Sequence, residues 1–283
     1  VLKHALAPFG REVAFELAAP VVPSREYVTQ HRESDLAFVL RLLAEQGLFS
    51  YFDHPLEDGA VERLVVTDTP GKAPPIDANP ELEVARDGER AATHESVTSF
   101  AALEQLRATA HRVRQFNWTH PELIEESLQT SDEPAGVAFE AYDHGDTFSY
   151  EYQEPRYRKH DVEAQAILRL QRTRADRALF RGRSNATRLR PGHFIRLNGA
   201  DYLVTRAFHQ GDCLTNTDQS GPRGDYENEF ECVLRERPYR PSVRDKPRVY
   251  GVQTAIVVDR TGKMAAPGSG SDGEDIATDV HGR

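Results

Sequence analysis

Between residues 193 and 232 the chain carries a pattern that an antiparallel sheet satisfies and little else does. His193–Leu197 and Tyr202–His209 are strand-like runs separated by Asn198-Gly199, the pair that best tolerates the positive φ angles of a tight hairpin. Tyr226-Glu227-Asn228-Glu229-Phe230-Glu231-Cys232 then alternates strictly, with Tyr226, Phe230 and Cys232 on one face and three glutamates on the other. Side chains on a strand point alternately up and down, so this is a strand with one face buried and one in water. The sixteen-residue, largely polar stretch 210–225 between these runs reads as a loop.

Upstream, residues 25–31 alternate as a strand, and Ser34 then opens a helical period. Leu36, Val39, Leu40 and Leu43 recur on one face, Ser34 can accept from the free N–H groups of the first turn, Asp35 suits the positive dipole end, and Gly47 supplies a left-handed stop. Leu48–Phe52 follows as a strand. Prolines at 70, 74, 75 and 80 break the next stretch, and an acidic polar run at 121–135 reads as a second loop. Residues 93–101, 109–118 and 137–142 are further strand candidates. From Asp161 to Leu179 the period turns helical again, with Ala164, Leu168, Ala175 and Leu179 on one side. Asp161 is the expected cap of this second helix and Gly182 its expected stop.

Charge narrows the choice of partners. The chain has 283 residues and a net charge of −10, which disfavours nucleic acid and anionic lipid. Residues 151–190 reverse the sign locally, holding 11 Arg and Lys against five Asp and Glu. Arg169, Arg172, Arg174 and Arg177 are spread around the second helix as a solvated face or as an interface for an acidic protein. Only two cysteines occur, Cys213 and Cys232, too few for a disulfide framework and without Cys-x-x-Cys spacing. No run of about 18 apolar residues marks a membrane span, and the N-terminus carries no Sec-type signal pattern.

Motifs that could carry chemistry each have a plainer explanation. Gly268-Ser269-Gly270-Ser271-Asp272-Gly273 matches a dinucleotide fingerprint in letters, but Asp272, Glu274 and Asp275 would repel a pyrophosphate and no helix has room to follow. Asn216, Asp218, Ser220 and Glu227 approximate a calcium loop turning at Gly221, yet Asn stands for the usual first Asp and both flanks read as strands. The eleven histidines lack metal-ligand spacing. His31, Glu33 and Asp35 could be drawn as an acid–base cluster, but they flank a capped helix start, where acidic residues belong. Cys232 falls on the apolar face of its strand, where a thiol is an inert core group. No catalytic constellation, cofactor site or metal site is expected.

Beyond Pro238, Pro241 and Pro247, which mark a linker, Val252–Asp259 reads as a strand opening a new domain, and residues 260–275 as a flexible loop. A start at Val1 without Met, and an end eight residues after that loop, suggest a piece of a longer polypeptide.

A resemblance then joins these pieces. Arg25-Glu26-Tyr27, Arg32-Glu33-Ser34-Asp35, Phe38-Val39 and Leu42-Leu43-Ala44-Glu45-Gln46-Gly47-Leu48-Phe49 resemble the signature segment of VgrG proteins, which are related to phage late-control D and tail-hub proteins. The likeness continues in order through Phe180-Arg181-Gly182-Arg183-Ser184, Arg190-Pro191-Gly192-His193-Phe194, Tyr226–Cys232, Tyr239-Arg240-Pro241, Gly251–Val258 and Thr278–Arg283. It implies an α+β fold that is mostly antiparallel β: tail-hub barrel-type domains with two or three short helices, then the start of an OB-fold. Residues 1–246 would be a partial hub region, and 247–283 a linker with the truncated N-terminal part of the OB-fold. The implied role is structural, a homotrimeric hub of the type VI secretion spike that caps the Hcp tube and carries effectors or adaptors. The implied location is the bacterial cytoplasm during assembly, then outside the cell through the contractile machine. A contractile-phage tail hub, and the non-catalytic part of an effector enzyme whose toxin domain lies elsewhere, are the alternatives.

Overall fold

The computed structural model describes residues 12–18, 28–54, 61–85, 94–116, 122, 124–132, 138–144, 159–211, 226–252, 254 and 256. The capped helix forms as its sequence predicts. After β1 (Glu12–Glu16), α1 spans Asp35–Glu45, and Ser34 in extended backbone accepts from the Ala37 N–H at 3.2 Å. Gly47 adopts φ +71° at its end. Only part of the expected apolar stripe is buried: Leu43 turns inward and Val39 and Leu40 are half-buried, whereas Leu36 is 68% exposed and Phe38, outside that stripe, is buried. Val28–His31 form no strand, and residues 25–27 lie outside the described residues.

The chain then gives β2 (Phe49–Asp53), β3 (Arg63–Thr67) and a 3₁₀ turn at Pro70–Lys72. β2 pairs antiparallel and β1 parallel with β3, making a three-stranded sheet. Because a strand shows alternate residues to opposite faces, neighbouring valines of β3 serve two cores. Val66 packs with Leu43 and Leu48 beneath α1, while Val65 packs with Phe49 and Tyr51 on the opposite side.

That opposite side is the wall of a barrel. β4 (Glu83–Val84), β5 (Ser96–Glu104), β9 (Ala178–Ser184), β10 (Phe194–Leu197), β11 (Ala200–Gly211) and β12 (Tyr226–Leu234) form a sheet in the order β10-β11-β12-β9-β5-β4. Its two edges are brought together by residues 74–85, a strap that bonds to both. Ile76 N–H donates to Phe194 O at 3.1 Å and Leu82 N–H to Arg196 O at 3.0 Å on the β10 side, while Ala85 N–H donates to Val97 O at 2.8 Å on the β5 side. Closure satisfies strand edges that would otherwise be left open. Arg190 Nη2 on Ile76 O and Arg188 on the Asn79 and Glu81 carbonyls hold the strap. Inside lie Ile76, Leu82, Val97, Ile195, Leu197, Val204, Phe230 and Cys232. The alternation of β12 is as its sequence predicts, and the turn at Asn198-Gly199 has φ +51° and +79°.

A third sheet, β7-β6-β8, comprises β6 (Ala110–Phe116), β7 (Ile124–Thr130) and β8 (Glu140–His144). The centre of the acidic run is therefore not a loop: Ile124–Thr130 pairs residue for residue with β6. α2 (Lys159–Arg174) packs on β6 and β7. It stops well before Leu179, and its buried stripe is Val162, Ala166 and Leu170, not the predicted Ala164 side. Leu179 and Gly182 belong to β9, because β5 and β12 offer partners on both sides of that segment. Within the described residues the fold is α+β and mostly antiparallel, with parallel pairs at β1/β3, β4/β5 and β6/β8. Val252, Thr254 and Ile256 are assigned to no strand, and the other residues of the expected OB-fold opening lie outside the described residues.

Candidate interaction site at an arginine junction

A helix end leaves carbonyls without intrahelical donors, and cations are favoured there. α1 has no basic residue in its last turn, so its cations come from far along the chain. Arg172 of α2 donates from Nη2 to Ala44 O at 2.6 Å and Glu45 O at 3.4 Å. Arg240 donates from Nη1 to Gly47 O at 3.1 Å and Asp68 O at 2.6 Å, and from Nε to Gln171 Oε1 at 2.9 Å. Burial pushes Arg172 down to about 10 and Arg240 below its ordinary value, yet both stay charged at neutral pH. Gly47 permits the close approach, since a Cβ there would overlap Leu168 of α2. Lys246 Nζ, 3.9 Å from Glu45 Oε1, completes the junction.

Arg169 and Arg174 also turn toward this chain. Arg169 Nη1 lies 2.5 Å from Asp143 Oδ2, and Arg174 Nη1 donates to Ala108 O at 3.0 Å. The Arg177 carbonyl accepts from Gln105 N–H at 2.8 Å. All four arginines are partly buried, so the freely solvated helix face is corrected. Net charge along the sequence could not reveal this, because the acceptors are backbone carbonyls and acids more than 20 residues away.

Sequence reasoning also missed Arg41, buried between Glu33 (2.5 Å) and Glu45 (3.0 Å). Glutamates eight residues before it and four after it were the available signal. Glu33 is thus an ion-pair partner, held below its usual range by Arg41, and Asp35 accepts from Gln30 Nε2 at 2.8 Å.

One arrangement resembles a catalytic relay. His111 Nε2 lies 2.9 Å from Asp143 Oδ2, and Thr173 Oγ1 lies 3.4 Å from His111 Nδ1. Burial pushes Asp143 up, but Arg169 and His111 outweigh it and hold the carboxyl low. The same Asp143 oxygen serves both partners, the threonine contact is at the limit of a hydrogen bond, and the groups fasten α2 to its sheet. Cys232 is fully buried, and burial pushes its thiol far up, so it is not a nucleophile. Among the described residues no group of three His, Cys, Asp or Glu side chains could hold a metal ion. The glycine-rich run at 268–273, Cys213 and all of the calcium-like loop except Glu227 lie outside the described residues.

Comparison with known proteins places this architecture. Residues 1–215 match the family described as phage tail baseplate hub (GPD). The type VI secretion system spike protein VgrG4b of Pseudomonas aeruginosa is 32% identical over 285 residues, covering 92% of this chain and 32% of that protein. The actin cross-linking toxin VgrG1 of Vibrio cholerae is 27% identical over 271 residues, covering 92% of this chain and 22% of the toxin. A solved component of the E. coli type VI secretion system, itself likened to bacteriophage T4 tail proteins, superposes with a TM-score of 0.52 at 19% identity, covering 88% of this chain and 50% of that one. The chain therefore spans a third or less of the length of these curated relatives. With the hub match running through the α1 layer, the third sheet and most of the barrel, the chain belongs to the phage tail baseplate hub family, with VgrG spike proteins among its relatives.

Proposed function

We propose that this chain is the hub portion of a type VI secretion spike, a structural part that assembles with two further copies of itself, caps the Hcp tube and helps carry effectors. The observation that carries the reading is the hub-family match over residues 1–215 in a chain whose six-stranded sheet is closed by its own strap. A barrel whose two sheet edges are strapped together suits a part that must stay rigid while a sheath does the work. On this reading residues 1–246 are hub and 247–283 lead into an OB-fold. Arg169, Arg172, Arg174 and Arg177 then serve an interface by shaping the α1–α2 surface. The protein works without a catalytic site of its own, is assembled in the bacterial cytoplasm and leaves through the contractile machine. A toxin domain elsewhere in the parent polypeptide is compatible with this, since one relative is named as a toxin.

The test is made on the full-length parent protein, by light scattering and by co-sedimentation with assembled Hcp tubes. A trimer that sediments with the tubes is the expected result. A monomer that ignores them overturns the proposal, and binding only to phage tail tubes moves it to a phage particle.

A further inference from the structure

We infer that Tyr239 and Arg240 are the mechanical anchor through which axial load on the chain beyond residue 250 enters the hub. The inference rests on the spike reading above. Residues 238–250 form no helix or strand and contain three prolines, as a slack connection would. Their contacts are those of a fixed one. The Tyr239 ring stands edge-on to Phe49 with centroids 5.4 Å apart, against the core of Tyr51, Val65, Leu203 and Val233. Burial raises its hydroxyl pKa. Arg240 reaches acceptors on three separate elements: Gly47 at the end of α1, Asp68 just after β3, and Gln171 of α2. A planar guanidinium with donors in fixed directions resists displacement along more than one axis, and the α1 dipole adds attraction. Pro238 and Pro241 flank the pair and fix φ on both sides, which removes slack. The Lys246–Glu45 pair adds a further tether. Tyr250 and Val252, at 85% and 98% exposure, then leave the surface. Load arriving at residue 250 is thereby delivered to α1, β3 and α2 together.

The test uses the whole chain and reads local opening without any secretion assay. Trypsin can cut after Arg244 and Arg248, whereas Arg240 and Lys246 are each shielded by a following proline. In Arg240→Ala the cutting rate at these sites should rise about tenfold, while hydrogen exchange in β11 and β12 stays within about twofold of wild type. Gln171→Ala removes only one of the three bonds and should give about threefold, and Arg240→Lys should fall between wild type and Arg240→Ala. Unchanged cutting in Arg240→Ala and Gln171→Ala overturns the anchor. So does exchange that rises equally throughout the barrel, which would make Arg240 a general stabilising residue. Neither result depends on Hcp binding, so a failed anchor leaves the hub reading standing and a failed hub reading leaves these rates unchanged.

Discussion

Gly182 offers the sharpest test of how the barrel wall is built. It lies in β9 directly opposite Phe230 of β12 on one side and Phe100 of β5 on the other. Its backbone is not in the left-handed region, so conformational freedom is not what the position requires. Space is. A methyl group there would overlap the Phe230 ring, lying 2.7 Å from Cε1 and 2.9 Å from the Ser99 carbonyl oxygen. Ordinary contacts between carbons are about 3.5–4.0 Å, so the ring would have to retreat by about 1 Å. Phe230 is 2% exposed with Phe100 stacked beside it at 6.3 Å, and retreat means disturbing the core. Replacing glycine by alanine in a strand gains about 0.5–1 kcal/mol from chain entropy, while overpacking costs about 1–3 kcal/mol. Gly182→Ala should therefore destabilise the chain by about 1–2 kcal/mol, read as a lower urea midpoint at unchanged slope. In a Phe230→Leu background the same change should be near neutral, giving a coupling energy of about 1–2 kcal/mol. A neutral or stabilising Gly182→Ala, with additive behaviour in the double mutant, would refute the steric argument.

Three further outcomes follow from the same geometry. Ser34→Ala removes the acceptor of the Ala37 N–H and should cost about 1 kcal/mol by thermal unfolding, with an alanine at the exposed Leu36 costing far less. Arg172→Met leaves the Ala44 and Glu45 carbonyls without their cation and should cost about 1.5–3 kcal/mol, whereas Arg181→Met, which breaks an exposed pair with Glu231, should cost less than about 1 kcal/mol. His193 is buried with Nε2 lacking a hydrogen-bond partner, and burial lowers its pKa below the ordinary 6.5, although Asp53 Oδ1 lies 4.0 Å away. The unfolded chain then takes up a proton that the folded chain resists, so stability should fall as pH drops from about 6.5 toward the depressed folded value. His193→Gln should flatten that slope in urea midpoints measured between about pH 7 and 5, and an unchanged slope would assign the acid sensitivity elsewhere.

The features legible beforehand are those whose causes lie within a few residues. Ser34 and Gly47 bound α1 through backbone groups they touch directly, Asn198-Gly199 closes its hairpin by local dihedral preference, and β12 shows its buried face by alternation alone. What misled was equally physical. Leu36 fits the helical stripe, but no sheet lies beneath it. Leu179 extends a helical period, yet pairing opposite Leu103 of β5 draws it into β9. Ile124–Thr130 is too acidic to signal a strand, and pairing with β6 supplies what its composition does not.

The arginines mark the same divide at the candidate site. Their number and crowding could be counted along the chain, and the VgrG-like segments could be recognised in order, so sequence alone determined the family, the mostly antiparallel class and the two helices. It could not say which carbonyls Arg172 and Arg240 would reach, or that the proline-rich segment after β12 would be fastened. Those contacts join residues more than 100 positions apart. Tertiary structure decided them, because a buried cation is tolerable only where the fold brings acceptors to it.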